Sequence, residues 1–151
     1  VTDLHISFKV GDTTYVLPTR SIVQMESFEG ATRVPGTPSY VIGLVQVRGA
    51  VVPVLDLRAR FGLPPIDRTL DSRIVVVERS GRRVALLVDS ARDILKIAAS
   101  DFESPPDVVT KQASGFVSAI ARVAEKLVML VDCDRLIAEE DTHGHHDSQR
   151  N

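Results

Sequence analysis

Tyr40 to Pro64 reads YVIGLVQVRGAVVPVLDLRARFGLP. Two apolar runs flank the pair Arg48-Gly49, and Asp56, Arg58 and Arg60 follow the second run at once. The runs are short, so they predict two strands, Gly43–Arg48 and Ala50–Leu55, tied at Gly49. Pro53 has no N–H to give to a ladder, which places the second strand at an edge or beside a bulge. Asp56 then caps a short helix, LRARFGL, that Gly62 and the Pro64-Pro65 pair stop. A guanidinium between two apolar strands is costly to bury unless paired. Arg48 is therefore expected at a rim, its stem packed and its head held by an acidic group.

On the N-terminal side, LHISFKV alternates Leu4, Ile6, Phe8 and Val10 against His5, Ser7 and Lys9. That pattern predicts a half-buried strand with His5 facing outward. Gly11-Asp12 turns the chain into TTYVL, a hairpin, and Ser21 to Glu26 gives a weaker third strand. EGATRVPGTPS reads as a loop. On the C-terminal side, RIVVVE and RVALLVD form a strand pair about SGRR, and RDILKI adds another strand. SDFESPPDVVTKQAS is a long loop, GFVSAIARVA and KLVMLVD close a last hairpin, and Asp132 caps a final helix, CDRLIAEE. The remaining DTHGHHDSQRN is polar, with little to bury. The tally is about ten short strands and two short helices, an all-β sandwich or barrel. A parallel α/β sheet would need longer helical crossovers than the chain provides.

The 151 residues suffice for one domain or two small lobes sharing a core, and 44% apolar with 25% charged residues fits a globular chain. No run approaches the ~18 apolar residues that a membrane helix requires. Cys133 is the only cysteine, which excludes an intrachain disulfide and fits a reducing compartment. The net charge of −2 is unevenly spread. Residues 58–92 carry eight arginines against four acids, while residues 93–151 carry six basic and eleven acidic groups. That distribution suits a mixed-sign solvated surface or two faces for two partners. The acidic total and an aromatic content of 5% argue against nucleic acid as a partner.

A search for chemistry finds no catalytic set. His5 reads as an inert surface histidine. His143, His145 and His146 sit in the polar tail, where no fixed geometry or supporting shell would hold a metal. Cys133 begins the last helix, a position that lowers a thiol pKa, but no histidine is placed to activate it. Asp89 ends the apolar strand VALLVDS as a phosphoacceptor does in a receiver domain. The alternating helices and early acidic pair of a receiver are missing, so Asp89 reads as a strand-end residue. No glycine-rich phosphate loop or zinc spacing appears. No cofactor, metal or enzymatic activity is expected.

Thr37 to Leu63, TPSYVIGLVQVRGAVVPVLDLRARFGL, resembles the signature of the CheW-like chemotaxis coupling proteins. That signature is an aromatic, an apolar-x-Gly step, a short strand, Arg-Gly, an apolar-Pro strand, and Asp-Leu-Arg before a short helix. FKVGDTTYVLPTRSIVQM, SRIVVVERSGRRVALLVDSARDIL and GFVSAIARVAEKLVMLVDCDRLI extend the resemblance over about residues 4–137. It implies two packed five-stranded SH3-like barrels with two short helices, one domain over residues 1–138; the polar composition of the tail, 139–151, leads to the expectation that it is disordered. It also implies a non-catalytic adaptor that couples the helical cytoplasmic tip of chemoreceptors to the regulatory domain of a CheA-type histidine kinase. Such a protein is cytoplasmic and reaches the membrane only through its receptors. A scaffold of a motility or pilus chemosensory pathway, and a small barrel enzyme with an unrecognised site, are the alternatives.

The resemblance places Ile22, Gly43, Arg48 and Ile74 at the receptor groove near the barrel junction. Ile22 and Ile74 read equally as core residues, and Gly43 as a requirement of backbone geometry. Many members carry a glutamate at the position of Gln24, which pairs with the Arg-Gly arginine. Here Glu26, two residues on and on the same face of a strand, is the substitute partner, or Arg48 is free for a partner's carboxylate.

Overall fold

The structure, a computed structural model, describes residues 2–107 and 115–137. Among them are eleven strands: β1 Thr2–Val10, β2 Thr13–Pro18, β3 Ile22–Ser27, β4 Val41–Val47, β5 Ala50–Asp56, β6 Arg73–Arg79, β7 Arg82–Val88, β8 Ser90–Ala98, β9 Phe102–Glu103, β10 Val117–Val123 and β11 Lys126–Val131. They form a six-stranded sheet, ordered β8-β1-β2-β11-β10-β9, and a five-stranded sheet, ordered β3-β6-β7-β5-β4. The first lobe thus draws on both ends of the chain, and the second is inserted between β2 and β8. The strand beyond the expected ten is β9, two residues inside the presumed long loop, paired to β10 at Ile120 and Ala121. No helix among the described residues is long and apolar enough to cross a membrane.

Three packed clusters explain the sequence pattern. Val16, Ile97, Ala121 and Val128 fill the first lobe. Val47, Val52, Val54, Ile74, Val76 and Ala85 fill the second. The largest cluster, including Phe8, Leu17, Leu55, Leu57, Phe61 and Phe116, lies between them and draws on both sheets. Strands of the second lobe are therefore covered on both faces. In β6, Val75 and Val77 join the interlobe cluster while Ile74 and Val76 face the lobe interior. RIVVVE is an unbroken apolar run for this reason, where a strand with one wet face would alternate. Each such side chain contributes roughly 1.5–3 kcal/mol by leaving water.

Both helix caps form. The Asp56 carboxylate accepts from the Arg58 N–H at 3.0 Å and starts α1, Leu57–Arg60. Asp132 accepts from the Arg135 N–H at 3.0 Å and starts the helix of residues 133–137. β5 lies between β7 and β4, so it is not an edge strand. Its ladder to β7 begins only at Val54, however, so Pro53 has a single neighbouring strand and its missing N–H costs no bond on the β7 side. A register shift in β4, between Val41 and Gly43, lies opposite the next two residues, Val54 and Leu55.

His5 departs from expectation: it is 4% exposed, whereas Leu4 is 45% exposed. The register of β1 against β8 shifts between Ile6 and Phe8. Phe8 and Val10 meet the interlobe cluster, and His5 and Ser7 are buried as well. Simple alternation fails because β1, like β6, has no wet face along much of its length. The His5 ring packs at 5.4 Å from the Phe102 ring, and its Nδ1 lies 3.2 Å from the Asp3 carbonyl oxygen. The tail 139–151, with His143, His145 and His146, lies outside the described residues.

Candidate functional site

β4 and β5 are joined by the two-residue turn Arg48-Gly49, with φ of 51° and 80°. Both residues are left-handed, the geometry of a type I′ turn, whose twist matches that of the flanking strands. Asn-Gly is the usual sequence for such a turn. Arginine there carries a steric cost of roughly 1–2 kcal/mol. Arg48 is exposed at the tip, and among the described residues it makes no hydrogen bond or ion pair. The apolar runs thus carry a guanidinium at their centre because the chain reverses there into solvent. Glu26 does not hold it: the Glu26 carboxylate accepts from the Gln24 side-chain amide instead. The other Gln24 amide atom, Oε1, is buried without a partner.

β3 carries a register shift of its own. Ile22 pairs with Val77, Gln24 with Val76, Met25 with Val75 and Glu26 with Ile74. Cross-strand partners share a face. Ile22 and Met25 therefore lie on the interlobe face with Val75 and Val77, although an odd step of three positions in the sequence would put them on opposite faces of a regular strand. Gln24 and Glu26 face the interior of the second lobe with Ile74 and Val76. Ile22 is half-buried against the interlobe cluster, and Met25, on an edge strand, is 42% exposed. The pair forms an apolar margin where the two lobes meet. Met25 is absent from the sequence-derived set, since only the bulge brings it to the face of Ile22.

Gly43 and Ile74 belong to the seam of the second lobe. Thr32 and Leu44 exchange backbone hydrogen bonds of 2.9 and 2.8 Å and bring the loop after β3 onto β4. A Cβ on Gly43 would collide with the Thr32 carbonyl oxygen and sit 2.7 Å from its carbon. Ile74, 3% exposed, is part of the lobe core. Beside the Thr32–Leu44 bridge is an open cleft of about 630 Å³, lined by Glu26, Phe28, Gln46 and Ile74 among others. The structure therefore gathers Glu26, Gly43 and Ile74 at the seam, leaves Ile22 at the lobe junction, and sets Arg48 at the hairpin tip.

Two arginines beside this hairpin bind the lobes together. The Arg58 Nε donates to Asp89 at 2.9 Å, and its Nη1 donates to the Pro64 carbonyl at 2.8 Å. Asp89 also accepts from the Gly11 N–H at 2.7 Å, and its own N–H donates to the Lys9 carbonyl at 2.9 Å. Asp89 is thus a staple from α1 to the β1–β2 turn. Arg60 lies between the Tyr40 and Phe116 rings, 4.0 and 4.6 Å from their centroids. Such stacking is worth roughly 0.5–2 kcal/mol per ring. Burial pushes the Asp56 carboxyl up, against the lowering effect of the Arg58 and Ala59 N–H groups.

Burial also pushes the Cys133 thiol up to about 11. The start of the last helix therefore does not activate it. Against a disulfide reagent at pH 8, the folded thiol is expected to react about a hundred-fold more slowly than in urea, where its pKa returns to the ordinary range. Equal rates in the two states would show an open thiol.

Comparison with known proteins bears on the same elements. The CheW-like domain matches residues 5–141. The chain is 30% identical over 136 residues to the chemotaxis protein CheW of Rhizobium meliloti, covering 90% of this chain and 88% of that one. It is 30% identical over 135 residues to the CheW of Bacillus subtilis, covering 89% and 86%. Protein FrzA of Myxococcus xanthus is 30% identical over 116 residues, covering 74% and 72%. The crystal structure of the scaffolding protein TtCheW from Thermoanaerobacter tengcongensis superposes with a TM-score of 0.81 at 29% identity, covering 87% of this chain and 89% of that one. The overall fold is thus that of a known scaffolding protein, and this chain belongs to the CheW-like domain family.

Proposed function

We propose that this protein is a non-catalytic adaptor that couples chemoreceptors to a CheA-type histidine kinase in a chemosensory array. The observation that carries the reading is Arg48, a charged side chain in a left-handed backbone position, exposed and without a partner among the described residues. A residue that costs the fold something at a solvent-facing turn is explained by what it meets outside the fold. The receptor tip is an amphipathic helical structure, and such an element needs apolar anchors with a polar guide. Ile22 and Met25 supply the apolar margin at the lobe junction, and Arg48 takes a carboxylate of the receptor. The kinase regulatory domain binds a separate surface. The adaptor is cytoplasmic and meets the inner face of the membrane only through receptors. Similarity to Protein FrzA favours a second reading, a scaffold of a motility or pilus chemosensory pathway.

Arg48→Asn separates binding from folding. Asparagine tolerates the left-handed turn, so stability should stay level or rise by up to about 1 kcal/mol. Affinity for a receptor-tip fragment should fall by about 1–3 kcal/mol, the range for a lost charged hydrogen bond. Affinity for the kinase regulatory domain should not change. Titrations against both fragments, with a thermal melt, read all three quantities. Full receptor affinity in the folded variant refutes the role of Arg48. Equal loss toward both partners with a lowered melting point makes Arg48 structural.

A further inference from the structure

The first lobe is open at one end. A cleft of about 340 Å³ lies between β1, β8 and the β10–β11 turn. Its apolar floor includes Leu95, Val123 and Val128, which also pack in the small cluster filling that lobe. The cleft is therefore the mouth of a thin core, with apolar side chains facing both the lobe interior and the opening. Lys9, Arg92 and Lys126 stand around it. Among the described residues none of the three makes an ion pair. Arg20, Arg58, Arg79 and Arg83 are all paired to carboxylates. Asp93 is on the same rim; its N–H donates to the Ser7 hydroxyl at 3.2 Å, and its carboxylate joins none of the three cations. The rim cations thus exceed rim anions by two.

A second feature points to the same place. The β10–β11 turn is Ala124-Glu125, with φ of 51° and 66°. The other two hairpin turns with paired positive φ, Arg48-Gly49 and Ser80-Gly81, have glycine second. Here two residues with Cβ atoms adopt the left-handed conformation, which crowds the Cβ against the following carbonyl oxygen. Ala124 lines the cleft and Lys126 follows the turn directly. Backbone strain of this kind concentrates where a segment is held for a ligand.

We propose that the mouth of the first lobe, with floor Leu95, Val123 and Val128 and rim Lys9, Arg92 and Lys126, binds a small amphipathic anion, a medium-chain carboxylate. The apolar body leaves water against the floor. The carboxylate lies among the three cations, whose charge has no ion-pair partner to displace among the described residues. The volume falls within the range of small-molecule sites, and the lining combines an apolar floor with a few charged groups as such sites do. The inference is independent of receptor coupling, which concerns the second lobe and the lobe junction.

The test titrates the full chain with decanoate below its micelle-forming range, followed by calorimetry and by amide NMR shifts. Saturable shifts are expected at Leu95, Val123 and Val128, with a Kd below about 1 mM. Decanol, which has the body without the charge, should bind at least about ten-fold more weakly. The exposed pair Arg92→Glu and Lys126→Glu should weaken decanoate by about ten-fold or more, and Asp93→Asn should tighten it. Thermal melts of the variants confirm that they are folded. Absence of saturable shifts overturns the proposal. So does equal binding of decanol, or decanoate affinity that ignores the charge reversals.

Discussion

Gly43→Ala should cost about 3 kcal/mol of stability, toward the upper end of the range for a group forced into a packed site. The reason is steric and local. The alanine methyl would occupy the position of the Thr32 carbonyl oxygen, and backbone yields less readily than the end of a side chain. Relief requires the loop after β3 to move off β4, which breaks the two Thr32–Leu44 hydrogen bonds that close the seam. Each contributes about 1 kcal/mol net. Gly49→Ala is the control: φ is also positive there, at 80°, but nothing lies within 4 Å of the added atom. That variant should lose only about 1 kcal/mol, the cost of a methyl group in a left-handed turn. Urea titrations compare the two, since the midpoint shift multiplied by the denaturant slope gives the free-energy change. Equal losses would show that the seam accommodates the methyl. A stable Gly43→Ala protein with weakened receptor binding would place Gly43 on the binding surface and not merely behind it.

Local chemistry made part of this structure legible in advance. The strand, Arg-Gly turn, strand and Asp56-capped helix follow from residue types that act within a few positions of one another. The continuous apolar runs of β6 and β7 report sheets covered on both sides. The departures have separate physical causes. Alternation separates core from solvent only when a strand has one wet face. β1 has little, so alternation places His5 at the surface, whereas it packs against Phe102. A bulge in β3 changes the parity of the strand, which brings Met25 beside Ile22 and turns Gln24 and Glu26 inward together. No periodicity argument finds a bulge whose effect is to shift the period. Arg48 stands out among apolar residues in the sequence, but its position is a turn tip, and Glu26, the expected partner, is engaged by Gln24. Asp89 was the hardest to read. Its partners lie 31 and 78 residues away, beyond the reach of any local pattern.

Asp89 accordingly supplies the second large expected effect. Asp89→Ala should cost about 3 kcal/mol, the lower end of the range for breaking a buried ion pair. The pair is not fully dry: the Arg58 and Asp89 side chains are 17% and 21% exposed, which keeps the expected loss from exceeding that value. Removal of the carboxylate leaves the Arg58 guanidinium with only its bond to the Pro64 carbonyl, and leaves the Gly11 N–H without its acceptor. Asp89→Asn retains an acceptor oxygen for Gly11 but removes the charge, so it should lose roughly half as much. A double-mutant cycle with Arg58→Ala isolates the pair and should give a coupling of about 1.5–3 kcal/mol. The denaturant slope should not change, because each lobe leans on the interlobe cluster and the chain crosses between them, so both lobes unfold together. A loss below about 1 kcal/mol for Asp89→Ala would mean that the interlobe cluster alone holds the lobes. A second unfolding transition in that variant would instead show that the staple is what makes two lobes behave as one domain. That outcome would tie the geometry of the junction, where Ile22 and Met25 lie, to a single carboxylate on the crossing from β7 to β8.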